Sequence, residues 1–202
     1  MTPDGAAFQA CIEGGGVAVF PADTVYGLAC SPLDAQAVER LYGLKGRPPD
    51  KPAAVMWFDR DRALDALPEL GPRTRTACER LLPGPVTLLL PNPQERFPLA
   101  GGGAVLGVRV PRVPALAGVP LAVLQSSANL AGGPDARTLD EIPREIRDGA
   151  DLVLDAGPLL GTPSTVVDLT AYAAEGRVAI VREGAVPAAE VARALGIVSG
   201  PS

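Results

Sequence analysis

The chain has 202 residues, 47% of them hydrophobic and 4% aromatic, with 18 basic against 23 acidic side chains and no histidine. Such a length and apolar content suffice for the core of one domain, while a net charge of −5 disfavours a surface built for nucleic acid or anionic membrane, because that binding rests on neutralising phosphate. Without imidazole there is no Ser-His-Asp or Cys-His relay and no HExxH zinc site, so any catalysis must come from charge and position.

In chain order, Thr2 is placed to cap a helix that has Pro3 in its first turn. A strand is predicted at 17–20, followed by "PADTVYGLAC" and a helix over 34–44. Next come "LKGRPPDKP", a strand at 53–58, a charged turn "DRDR" at 59–62 and a helix over 72–82. Strands at 86–90 and 105–110 flank a glycine loop, "AGGGA", at 100–104. The remainder reads as strands at 121–125, 151–155, 164–169 and 177–181, with helices near 139–148 and over 188–196. This alternation predicts an α/β fold with a mixed sheet in a single domain, 1–202. Cys11, Cys30 and Cys78 form no CxxC pair and read as buried thiols. The opening residues lack a basic segment followed by an apolar run, and no stretch reaches about 18 apolar residues, so the expectation is a cytoplasmic protein without a membrane segment.

Both lysines of the chain, Lys45 and Lys51, stand in one short stretch with Arg47 between them. Residues preceding Pro48 and Pro52 are pushed out of the helical region. An extended backbone there would aim Lys45 and Arg47 to one side, as a compact ammonium beside a planar guanidinium, a pairing suited to polyphosphate. Ser127 and Asn129, again two apart, leave a predicted strand end, where open α/β sheets bind ligands. Thr24 follows another strand and is a candidate for a small polar substrate; Asp23 and Tyr26 serve equally as a turn cap and a packing ring. Ser164 and Thr165 sit at the mouth of a strand. Arg109 and Arg182 end apolar strands, where each needs an anionic partner, either a bound carboxylate or phosphate or an internal acid such as Glu183.

The blocks "PADTVYGLAC", "LKGRPPDKP", "PGPVTLLL", "VLGVRVP", "SSANLAGGP" and "PSTVVDL" stand in an order and spacing that resemble the YrdC/Sua5 family of L-threonylcarbamoyladenylate synthases, over about 8–187. The resemblance implies a YrdC-like single domain, a twisted mixed β-sheet flanked by helices around a concave ligand cavity. It implies formation of threonylcarbamoyl-AMP and pyrophosphate from L-threonine, bicarbonate and ATP, the first step of the threonylcarbamoyl modification of a tRNA adenosine. By the same resemblance Lys45, Arg47, Ser127 and Asn129 are catalytic, Lys45, Arg47, Lys51, Asn129 and Arg182 hold ATP, and Thr24, Arg109, Ser127 and Ser164 line the threonine side. Mg²⁺ would arrive with ATP and keep much of its water, so no metal ligand is assigned. The implied partner is a downstream tRNA threonylcarbamoyltransferase complex, with direct tRNA contact weak at best. Ala22 and Met56 depart from the family pattern, which has threonine and, in some members, histidine there; "VREG" at 181–184 replaces a commoner Arg-Pro-Gly but keeps Arg182. No GxxxxGK[ST] loop is present. The alternatives are an RNA-binding module of this fold and a carbamoyladenylate-forming relative from hydrogenase maturation.

Overall fold

Helix starts follow their capping chemistry. The Thr2 hydroxyl accepts from the Gly5 amide at 3.0 Å and Pro3 opens α1 (Pro3–Glu13); the Asp34 carboxylate accepts from the Gln36 and Ala37 amides at 2.9 and 3.1 Å to start α2 (Ala35–Lys45). The computed structural model describes residues 1–48 and 51–197; Pro49 and Asp50, inside the lysine-bearing loop, and 198–202 lie outside the described residues. The expected "DRDR" turn is instead the start of α3 (Arg60–Asp65), because Asp59 accepts from the Arg62 amide at 2.8 Å and caps it. The remaining helices are α4 (Pro72–Leu81), α5 (Arg144–Gly149), α6 (Tyr172–Glu175) and α7 (Ala188–Leu195). None among the described residues is long and apolar enough to cross a membrane.

Among the described residues nine strands form one mixed sheet: β1 (Ala18–Pro21), β2 (Tyr26–Cys30), β3 (Ala54–Met56), β4 (Val86–Pro91), β5 (Val105–Arg109), β6 (Val123–Ser127), β7 (Leu152–Val153), β8 (Thr165–Asp168) and β9 (Ala179–Arg182). Their spatial order is β7-β1-β2-β6-β3-β5-β4-β8-β9, with β1/β7, β3/β5 and β4/β8 parallel and the other pairs antiparallel. β2 carries no strand signal in the sequence, since it is buried along its whole length and shows no alternation. The strand expected at 121–125 lies two residues later, because its ladder with β2 runs on to Gly27↔Ser127. Ser126 and Ser127 are therefore on the strand and not in the loop after it.

Side-chain alternation divides the sheet into two faces. Val19, Leu28, Val55, Leu88, Val108, Leu124 and Val167 join a large core that α2, α4, α5 and α7 cover. On the opposite face α1 covers only part of the sheet, packing Phe8 and Ile12 on Ala18, Phe20, Ala29, Met56 and Val123. Phe8 and Phe20 meet edge-on with centroids 5.4 Å apart, and each contributes about 1.5–3 kcal/mol by full burial. Beyond the reach of α1, the same face runs on through Ala54, Gly107 and Gln125, paired across β3, β5 and β6. A Cβ at Gly107 would stand 3.3 Å from the Ala54 backbone. These small side chains leave the uncovered part of the face hollow.

Candidate active site

That hollow encloses about 200 Å³ and is lined by Arg47, Thr87, Arg109, Gln125, Ser126, Ser127, Asp135, Ser164 and Arg182, with a floor of Val25, Ala54, Pro163 and Val166. Larger hollows lie elsewhere, such as one of about 720 Å³ walled mainly by proline, alanine and leucine, but this one has three arginines and a single carboxylate in its wall. Buried side-chain donors or acceptors without a hydrogen bond number three among the described residues, and two of them are Nε of Arg47 and Nε of Arg109. An unpaired buried donor costs about 1–3 kcal/mol. Three guanidinium groups on one hollow make a setting suited to an anion.

The chain reaches this site through a left-handed turn and not through the extended backbone expected from Pro48. Gly46 has φ 57°, its amide donates to the Gly43 carbonyl at 3.1 Å, and the Arg47 amide donates to the Tyr42 carbonyl at 2.9 Å. This double closure ends α2 at Lys45, and glycine adopts the positive φ at no steric cost. The two cations consequently diverge. Arg47 Nη1 reaches the Ser126 hydroxyl at 3.2 Å, while Nη2 donates to the carbonyls of Lys51 (3.4 Å) and Pro52. Its guanidinium also lies 5.6 Å from the centre of the Tyr42 ring.

Lys45, 3% exposed, points to the end of β6, where Nζ donates to the Ser127 carbonyl, the Asn129 carbonyl (2.6 Å) and Asn129 Oδ1 (3.0 Å). Neither Lys45 nor Asn129 lines the hollow; they lie behind its wall. Burial pushes the Lys45 pKa down from 10.5 to about 8, Arg47 adds to the effect, and Asp135 opposes it. Between about pH 8 and 10.5 the unfolded chain then binds more protons, so Lys45 makes stability rise with pH across that window. Buried Cys30 and Cys78, raised to about 12, act in the opposite sense from pH 9 upward. The difference in urea midpoint between wild type and Lys45→Met isolates the lysine: it should shift in favour of wild type from pH 8 to 10.5, and a flat difference would refute the assignment.

Arg109, 4% exposed, is held by one nitrogen, Nη2, which donates to Asp23 Oδ1 and to the Thr24 hydroxyl, both at 2.6 Å. Its anionic partner is thus internal, one of the two possibilities left open by the sequence, and its Nε stays unpaired. Thr24 is fully buried behind Arg109 and does not line the hollow. The Asp23 carboxylate also accepts from the Arg112 amide at 3.3 Å. Tyr26 is a packing ring that in addition ties the 155–157 loop, its hydroxyl donating to Asp155 or the Gly157 carbonyl and accepting from the Ala156 amide.

Ser164, just before β8, has its Oγ 2.9 Å from Thr87 Oγ1 on β4. Arg182 differs from expectation: it is exposed on edge strand β9, with Nη2 donating to the Ser164 carbonyl at 2.8 Å, and so has no buried charge to neutralise. Lys51 is exposed and does not line the hollow. Ala22 and Met56 are buried against α1 and do not line it either, so those two departures leave its wall unchanged. Sequence reasoning passed over Thr87, Gln125, Ser126 and Asp135. A hydroxyl inside the apolar run "VTLLL" was the available signal for Thr87.

A family model named Sua5_yciO_yrdC and described as "Telomere recombination" matches residues 10–184. The chain is 30% identical over 194 residues to the threonylcarbamoyl-AMP synthase of Pyrococcus abyssi, spanning 92% of this chain and 55% of that protein. It is 35% identical over 170 residues to the enzyme of that name from Thiobacillus denitrificans, spanning 80% of this chain and 88% of that one. It superposes on the crystal structure of P. abyssi Sua5 complexed with L-threonine with a TM-score of 0.83 and 27% identity, covering 96% of this chain and 58% of the other. The chain therefore spans just over half the length of its Pyrococcus relative and most of its Thiobacillus one.

Proposed function

The chain belongs to the Sua5/YciO/YrdC family, and from that premise we propose that it is a threonylcarbamoyl-AMP synthase acting in the cytoplasm on L-threonine, bicarbonate and ATP. The observation that carries this reading is the convergence of Arg47, Arg109 and Arg182 on one hollow, two of them with unpaired buried donors. Arg109, fixed through Nη2 by Asp23 and Thr24, offers Nη1 to the carboxylate of threonine. Ser127 and Ser164 supply hydroxyls to the same ligand. About 200 Å³ suits an amino acid and is below the ordinary range of about 300 Å³ and more for larger ligands, so the nucleotide extends outward past Arg47 and Arg182. Lys51, exposed on the Arg47 loop, meets its outer phosphates.

Bicarbonate and the threonine amine condense to a carbamate with loss of water, and a carbamate oxygen attacks the α-phosphorus as pyrophosphate leaves. Such a displacement needs alignment and neutralisation of charge on phosphate oxygens, which guanidinium groups supply without an imidazole. Magnesium carried by the triphosphate supplies further neutralisation. No group of three or more potential metal ligands exists among the described residues, and Asp135 is the one carboxylate on the hollow, a donor set that fits an ion held mainly by phosphate and water. The labile product passes to a separate transferase that modifies tRNA.

The test is trapping of adenylate from labelled bicarbonate while each substrate is omitted in turn. Pyrophosphate release should require ATP, bicarbonate and L-threonine together. Release supported by carbamoyl phosphate without threonine would move the chain to the carbamoyladenylate-forming relatives and overturn the proposal.

A further inference from the structure

The Lys45 ammonium has three N–H donors, and all three are spent on the segment that follows β6: the Ser127 carbonyl, the Asn129 carbonyl and Asn129 Oδ1. Asn129 is as fully engaged. Its Oδ1 also accepts from the Ser127 hydroxyl at 2.5 Å, and its Nδ2 donates to the Gly133 carbonyl at 2.6 Å. The backbone adds a further tie, the Ala131 amide donating to the Lys45 carbonyl at 2.8 Å. Residues 127–133 are thus gathered around one buried ammonium, while Ser126, whose hydroxyl accepts from Arg47, and Ser127 line the hollow. Three converging oxygens suit a compact ammonium with three rotatable donors, and a planar guanidinium could not meet them. Here lies a reason for lysine at this position in a chain that otherwise uses arginine.

We propose that Lys45 is a positioning residue: it fixes the end of β6 and the Asn129 amide, setting Ser126 and Ser127 in the wall of the hollow, and serves the reaction through them without touching substrate. The proposal rests on the synthase reading above but assigns Lys45, and with it Asn129, to the scaffold and not to the phosphates.

A double-mutant cycle of Lys45→Met and Asn129→Ala decides it. Each single change should lower kcat for pyrophosphate release by about tenfold or more with the dissociation constant for ATP altered less than about threefold, and the double variant should be little worse than the poorer single. Effects that multiply, or a loss of ATP affinity of about thirtyfold in Lys45→Met, would overturn the proposal. Should the variants not fold, the wild type gives the answer by itself, since its two lysines yield only two side-chain ammonium signals. In ¹⁵N-labelled protein titrated with inorganic pyrophosphate and then ATP, the arginine side-chain signals report occupancy and the Lys45 signal should hold its position. A Lys45 signal that moves in step with those arginines overturns the positioning role. Arginine signals that ignore both anions sink the synthase reading, and the role of Lys45 in the reaction falls with it.

Discussion

Arg47→Ala is expected to lower threonylcarbamoyl-AMP formation by about 10²–10³-fold, the usual loss when one aimed charge-stabilising donor is removed from a transition state. Arg47 lines the hollow and leads to its outer edge, with Nη1 on Ser126 and Nη2 on the Pro52 carbonyl. Its structural bonds are few and partly exposed, so the thermal midpoint should move by no more than a few degrees. Arg47→Lys should recover little of the loss, because one ammonium cannot span Ser126, the Pro52 carbonyl and a phosphate at once. Pyrophosphate release measured beside a thermal melt separates the outcomes. Near-wild-type synthesis in Arg47→Ala would remove the phosphate side of the proposed function.

Asp23→Ala should produce the largest loss of stability. The Asp23 and Arg109 side chains are 8% and 5% exposed and their oxygen and nitrogen are 2.6 Å apart. Removing the carboxylate leaves a buried guanidinium with only the Thr24 hydroxyl and costs about 3–5 kcal/mol. For a chain of this size that corresponds to a fall of roughly 6–20 °C in Tm. The double variant Asp23→Ala/Arg109→Met removes both charges and should regain most of that stability, since a buried pair replaced by apolar groups is often neutral. It should not regain synthesis, because the guanidinium offered to the threonine carboxylate is gone. If Asp23→Ala melts with the wild type, the ion pair does not hold Arg109, and its orientation needs another cause.

Arg109, Ser127, Ser164 and Arg182 were legible as polar side chains at the ends of apolar runs and Arg47 by its place between the two lysines, and the structure brings them onto one hollow. Thr87 had only the signal of a hydroxyl inside an apolar run, and Gln125, Ser126 and Asp135 were not legible, because nothing local distinguishes a polar side chain beside the open part of a sheet face from one on a solvated edge. Membership in the hollow depends on β3, β4, β5, β6 and β8 lying side by side although they come from across the chain. It depends equally on α1 stopping short of them. The geometry at Lys45 and Arg47 was misjudged for a nearer reason: Lys45 still belongs to the helix and Gly46 is left-handed, so the extended preference that Pro48 imposes on Arg47 does not reach back to Lys45.

By itself the sequence determined the α/β class, most of the strands and helices, the absence of imidazole chemistry and the blocks that carry the family resemblance. These follow from periodicity, capping residues and composition, which act over a few neighbours. The tertiary structure alone decided that Lys45 turns inward to Ser127 and Asn129 while Arg47 turns to the hollow, and that Asp23 neutralises Arg109. Hydrogen bonds and ion pairs between residues some 80 positions apart are set by strand order and by which part of a sheet face stays uncovered, and neither is encoded in local spacing.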